Sequence, residues 1–171
     1  MSQRQVKFKD KMYNLVGPQL KPGDAAPDFE CVTGLDIVRL GDTPKTVRFF
    51  SVVPSLDTPV CNTQTKRFNE SLSALKDKAT AYTVSLDLPF AQGRFCTAEN
   101  ITNLKNLSDT RNHSFGKHYG TLIEGLPIPL LSRAIFIVDK NNKIVYVEYV
   151  GEVGAHPDYD KAVAALKAAV A

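Results

Sequence analysis

Residues 46–53, TVRFFSVV, form an apolar run that Pro54 closes, and no other stretch restricts the fold as tightly. A short apolar run stopped by proline reads as a buried strand. Four residues later, Thr58 and Pro59 read as a helix start. Threonine caps helices, and proline suits the first helical position because it has no N–H to lose there. Cys61 then falls at the third helical position, where unpaired backbone N–H groups and the positive end of the helix dipole favour an anion. A thiol so placed ionises more easily than a free one, and the thiolate is the nucleophile. The same cysteine also fits a plainer role as a small buried hydrophobe, which is what most free cysteines are.

Around this strand–helix unit the chain alternates. Residues 6–8 and 12–16 read as an N-terminal hairpin, followed by a Pro- and Gly-rich connection over 17–27. Short strands are expected at 29–33, 36–39, 81–86 and 105–108. In the Cys61 helix, Phe68, Leu72 and Leu75 mark one face. A second helical stretch is expected over 97–104, after a mixed region containing Gly93, Arg94 and Cys96. The β-rich runs 134–138 and 143–150 flank a hairpin turn at 139–142. Tyr159, Val163, Leu166 and Val170 recur at helical spacing, the mark of a C-terminal amphipathic helix. Strand–helix alternation closed by a hairpin and a helix fits an α/β sandwich. No repeat or linker divides the chain, so residues 1–171 are expected to form one domain, with 1–17 as a hairpin extension.

Bulk properties exclude several functions. The net charge of +3 is small and the basic residues are dispersed, so no nucleic-acid partner is expected. No apolar run is long enough to cross a bilayer. Residues 1–7 contain no apolar signal core, so export is not expected and the cytoplasm is the expected compartment. Three cysteines do not make a structural disulfide framework; in a reducing compartment a disulfide between them is catalytic and transient. His113, His118 and His156 are too scattered to form a ligand set, and no Cys or His spacing matches a zinc site. Gly-rich phosphate loops are absent too. No metal or cofactor is expected, and electrons should arrive by thiol–disulfide exchange with a dithiol protein.

The array Pro54-x3-Thr58-x2-Cys61 behind an apolar strand resembles the active-site signature of peroxiredoxins. The longer string over 53–61, VPSLDTPVC, is similar to that of the bacterial thiol peroxidases, which are atypical two-cysteine peroxiredoxins. The resemblance covers nearly the whole chain: Leu15-Val16-Gly17, the segment DLPFAQGRFC over 87–96, the segment around Arg133, and the helical tail. It implies a thioredoxin-like sandwich, with a central mixed sheet flanked by helices and an added N-terminal β-hairpin. It also implies roles. Cys61 is the peroxidatic residue, which becomes a sulfenic acid. Cys96 is the resolving residue, which attacks that acid to leave an intramolecular disulfide. The Thr58 hydroxyl and the helix-start N–H groups assist the thiolate and the departing oxygen. Arg133 is the active-site arginine, its planar fork serving sulfur and peroxide oxygen together. Pro54 packs over the thiolate and limits solvent. Phe90, Leu126 and Ile128 are candidates for an apolar substrate surround. Hydrogen peroxide and organic hydroperoxides are the implied substrates, thioredoxin the implied reductant, and a homodimer the implied assembly. Cys31 matches no site of the family and reads as a buried thiol.

The 34 residues between Cys61 and Cys96 rule out a C-x-x-C loop. On different elements the two must move to pair, since a disulfide tolerates only about 7 Å between Cα atoms. Other readings use the same residues. A redox sensor working through this cysteine pair predicts slow turnover, and a disulfide oxidoreductase lacks its C-x-x-C motif. A structural domain with inert thiols predicts no response to peroxide.

Overall fold

In the computed structural model the apolar run becomes a strand, Val47–Val52, in which every residue is buried. Residues 3–171 are described; Met1 and Ser2, part of the 1–17 extension, lie outside them. The strand is β5. Before it come the hairpin β1 (Gln5–Phe8) and β2 (Lys11–Val16), then β3 (Cys31–Thr33) and β4 (Asp36–Val38). After it come helix α1 (Pro59–Ser71), β6 (Ala79–Ser85), α2 (Pro89–Ala98), β7 (Lys105–Ser108) and α3 (Ser114–Tyr119). The chain continues through β8 (Leu122–Ile123), β9 (Leu130–Leu131), β10 (Ala134–Val138), β11 (Ile144–Tyr149) and α4 (Tyr159–Val170). Seven strands form the main sheet in the order β11-β10-β5-β6-β7-β3-β4, and a small second sheet runs β1-β2-β8-β9. β5 pairs in parallel with β6 and antiparallel with β10, so the sheet is mixed.

Side chains alternate across a strand, and here that alternation divides the core in two. Odd positions of the central strands, Val47, Phe49, Ile135 and Ile137, pack with Cys61, Phe68 and Leu72 of the α1 region and with Leu166 of α4. Even positions, Phe50, Val52, Phe136 and Val138, face the opposite layer with Phe115 and Tyr119 of α3. Phe49 meets Phe68 edge-on at 4.9 Å, and Phe68 meets Tyr159 at 5.2 Å, which pins α1 between sheet and α4. On the other face Phe115 stacks on Tyr119 at 4.1 Å. The helices therefore lie on both faces of a mixed sheet, as the sequence alternation predicts.

Two expectations need correction. The second helix spans Pro89–Ala98, not 97–104, so Cys96 lies in its last turn. Leu88 is extended, and Pro89 occupies the first helical position, which its fixed φ favours. Gly93 weakens the helical pattern in the sequence, yet Gln92 and Phe95 still bury one face. The helix stops where Asn100 turns left-handed at φ 54. The segment beyond is held instead by Asn69, whose Oδ1 accepts from the Thr102 and Asn103 amides at 3.0 and 2.8 Å. Helix α3 and the strands β8 and β9 are absent from the sequence reading. With six residues, α3 is too short for a periodic signal, and it leans on an outside carboxylate: Asp109 accepts from the Phe115 and Gly116 amides at 2.9 and 2.8 Å. Phe68→Ala should cost about 3–5 kcal/mol in urea unfolding followed by circular dichroism, whereas Phe68→Leu should cost less than half of that.

Candidate active site

Cys61 is placed by the end of β5 and the start of α1. Pro59 is the first helical residue and Thr58 the cap residue, with extended φ −106 and ψ 149. Cys61 is thus the third helical residue, as the sequence predicts, and it is completely buried. The expected cap is only half present. The Thr58 hydroxyl does not bond an N–H of the first turn; it donates to the Ser55 carbonyl at 2.9 Å. The loop 54–58 curls back on itself, and that claims the hydroxyl proton. The first-turn N–H groups are left facing the cysteine's end of the helix.

Arg133 directly precedes β10, and by the strand's parity it falls on the α1 side with Ile135 and Ile137. It is 1% exposed. One guanidinium nitrogen, Nη1, donates to Cys61 Sγ at 3.4 Å and to Gln64 Oε1 at 2.8 Å; Nη2 donates to the Val153 carbonyl at 2.8 Å. Gln64 lies one helical turn after Cys61, on the same face. Its amide nitrogen donates to Ser51 Oγ on β5 at 2.8 Å. Among the described residues, no carboxylate lies within ion-pair distance of Arg133. The cation is matched by two neutral oxygens and a sulfur.

Above this array lies an apolar pocket of about 380 Å³, lined by Phe8, Pro54, Ile128, Leu130 and Val153, with Thr58 and Arg133 also in its wall. Pro54 is buried and lines this pocket. Of the three apolar candidates, Ile128 lines the pocket; Phe90 and Leu126 do not. Phe8, from the N-terminal hairpin, reaches the site without any sequence signal.

Cys96 is half-buried near the end of α2 and packs against the same apolar cluster as Cys61. Burial pushes its thiol above the ordinary range, against a smaller pull from the Asn106 amide, which donates to the sulfur at 3.1 Å. All three cysteines are free thiols. A cleft of about 610 Å³ separates the start of α1 from α2, lined by Asp57, Thr58, Asn62, Arg94 and Phe95. The two cysteines thus lie on two helices that border one cleft and share one apolar cluster. Besides Phe8, Gln64, Ser51 and the Val153 carbonyl are members of the site that the sequence reading does not point to. For Gln64 a signal existed, since a polar side chain three residues after Cys61 shares its buried face. Among the described residues no three His, Cys, Asp or Glu side chains group closely enough to share a metal ion.

The comparisons with known proteins agree with this geometry. The Redoxin family model matches residues 21–163. The chain belongs to the thiol peroxidases of the redoxin family. The thiol peroxidase of Halalkalibacterium halodurans is 48% identical over 96% of this chain and 98% of its own. That of Bacillus subtilis is 46% identical over 97% and 98%. A peroxiredoxin-like protein of Aquifex aeolicus has a solved structure that superposes with a TM-score of 0.90, at 43% identity and 98% coverage of both chains. The fold is therefore thioredoxin-like, with the hairpin β1–β2 added at its N-terminal end, and the protein is an enzyme of the peroxiredoxin class. No described helix is long and apolar enough to cross a membrane.

Cys31 stands apart. It is fully buried on the other face of the sheet, its Sγ 3.7 Å from Asp109 Oδ1. Burial, and secondarily the Asp109 carboxylate, pushes its thiol far above the ordinary range. Below the ordinary thiol pKa, near ~8.5, folded and unfolded chains both keep this proton. Above it only the unfolded chain loses the proton, so this group's stabilisation falls as pH rises, by about 1.4 kcal/mol per unit. Cys31→Ala should flatten the fall in urea stability between pH ~8.5 and ~10 by about that slope, and in the wild type Cys31 should resist alkylation until the protein unfolds.

Proposed function

We propose that this chain, acting as one domain, reduces hydrogen peroxide and organic hydroperoxides through a Cys61 sulfenic acid and an intramolecular Cys61–Cys96 disulfide. Thioredoxin then reopens that disulfide. The observation that carries this reading is a buried guanidinium donating to Cys61 Sγ at 3.4 Å while also standing in the wall of an apolar pocket. A peroxide entering that pocket meets the cation that donates to the sulfur. The thiolate attacks one oxygen, the O–O bond breaks, and the other oxygen leaves as alkoxide or hydroxide and takes a proton. The sulfur is oxidised to the sulfenic acid.

The developing charge on the leaving oxygen is stabilised by aimed donors, here Arg133 and the helix-start N–H groups. Thr58, with its proton committed to Ser55, keeps its oxygen lone pairs for the peroxide O–H. Pro54 keeps bulk water off the sulfur. The Cys96 thiol then attacks the sulfenic sulfur, water leaves, and the disulfide forms. A dithiol reductant restores both thiols by exchange. The apolar lining supports acceptance of alkyl chains as well as hydrogen peroxide. The family resemblance further supports a homodimer working in the cytoplasm as an antioxidant enzyme.

Peptide mapping after one equivalent of peroxide, without reductant, tests the reading. A Cys61–Cys96 cross-link that thioredoxin reverses, over many turnovers, is expected. A single turnover that reductant does not renew would instead mark a sensor. Cys61→Ser should abolish peroxidase activity. Cys96→Ser should leave a trappable sulfenic acid at Cys61 and stop thioredoxin-supported turnover. Arg133→Ala should slow peroxide attack about 10²-fold or more, the usual effect of losing a charge-stabilising donor; an unchanged second-order rate constant would remove the arginine from the mechanism.

A further inference from the structure

One carboxylate ties together the two segments that the cysteines depend on. Asp87 follows β6 and comes two residues before Pro89, the start of the helix that carries Cys96. Its Oδ1 accepts from Ser55 Oγ at 2.8 Å, and its Oδ2 accepts from the Leu56 amide and from Ser85 Oγ, each at 2.8 Å. Ser55 and Leu56 belong to the loop between β5 and α1, the loop that sets the first turn around Cys61. The same Ser85 hydroxyl accepts from Gln92 Nε2 at 3.0 Å. Gln92 lies on α2, one turn before Cys96, is fully buried, and also donates to the Leu107 carbonyl at 3.1 Å. Ser108 Oγ adds a bond to the Asp87 carbonyl at 2.6 Å. The bonds run without a break from the Cys61 loop through Asp87 and Ser85 to the Cys96 helix.

The remainder of α2 is lightly held. Of its ten residues, Gln92 and Phe95 alone are buried, and Gly93 interrupts it with no neighbour over its Cα. Hydrogen bonds to a carboxylate are the stronger kind. Such bonds concentrated on Asp87 resist separation of the loop from α2, and Cys61 is fully buried while the thiols are free.

We propose that Asp87 is a latch: a positioning residue that holds the Cys61 loop and the Cys96 helix in the reduced arrangement and sets how fast the disulfide forms once Cys61 is oxidised. The proposal rests on the cysteine roles given above. Two fates compete for the Cys61 sulfenic acid. In one, the Cys96 thiol displaces water and the disulfide forms. In the other, a second peroxide transfers an oxygen to the sulfur, giving a sulfinic acid and water or alcohol. A firmer latch keeps the sulfenic acid inside the intact pocket for longer and exposes it to that second peroxide. A loosened latch favours the disulfide.

The test compares wild type, Asp87→Asn, Ser55→Ala and, as a control, Ser114→Ala. Ser55→Ala removes one of the carboxylate's bonds and leaves its others, so it reads the latch even if Asp87→Asn does not fold. Ser114→Ala deletes a hydroxyl that accepts from the Glu30 amide at 2.7 Å on the opposite layer, so it removes a comparable hydroxyl bond without touching the latch. Rapid acid quench and thiol labelling, read by mass spectrometry, follow sulfenic acid and disulfide after one equivalent of hydrogen peroxide. In the latch variants the sulfenic-to-disulfide step should quicken about 3- to 10-fold, and the peroxide concentration that half-converts Cys61 to sulfinic acid should rise by a similar factor. The control should shift neither. Disulfide formation unchanged or slowed in both latch variants, or quickened equally in the control, overturns the latch. Absence of any Cys61–Cys96 disulfide in the wild type would instead overturn the cysteine roles beneath it.

Discussion

A guanidinium with almost no access to water organises this site. Burying a cation is costly unless it is hydrogen-bonded and its charge is met, and among the described residues no carboxylate lies within ion-pair distance of Arg133. Two neutral oxygens, from Gln64 and the Val153 carbonyl, satisfy its direction but not its charge. The sulfur of Cys61 is the one partner in contact that can carry a negative charge. The fold thus buries a guanidinium against a thiol, and in the proposed function that thiol is the nucleophile. β5 and α1 deliver the sulfur, β10 delivers the cation, and the antiparallel register of β5 with β10 brings them level.

Around that pair the layers divide the labour. On one face of the sheet, Phe49, Phe68 and Tyr159 lock α1 in place, so the first turn has a rigid base. On the other face, the ring cluster of Phe50, Phe115, Tyr119 and Phe136 forms a second core. Cys31 sits there, fully buried. Burial raises its proton affinity, and the thiolate is the form that peroxide attacks. Two fully buried thiols of one chain thus lie on opposite faces of one sheet, Cys61 against a guanidinium and Cys31 against a carboxylate.

The proposed two-cysteine cycle adds a demand for motion. An attacking thiolate needs an intact first turn, whereas a disulfide needs two elements to leave their places. The loose helix α2 and the bonds converging on Asp87 meet both demands. In that cycle the bonds on Asp87 hold the loop that the first step needs, and the lightly buried α2 is free to move for the second, the uneven distribution expected of segments that open locally.

Much of this was legible in the sequence, and the reasons are local. An apolar run closed by proline, with Thr58 and Pro59 ahead of Cys61, determined a buried strand, a helix start and a cysteine in its first turn, because backbone sterics and capping act over a few residues. The hairpin at 139–142 and the terminal helix followed from turn chemistry and periodicity in the same way. Helix α2 was misplaced, since Gly93 weakens the local signal while burial of Gln92 and Phe95, a non-local effect, stabilises it. Helix α3 escaped notice because the Asp109 carboxylate that holds it comes from outside the helix. What only the tertiary structure decided is which distant groups converge: Arg133 on Cys61, Gln64 on Ser51, Phe8 at the pocket, Asp87 on the loop before α1. Those contacts depend on strand order and register, which arise when the layers pack, and no short stretch of chain encodes them.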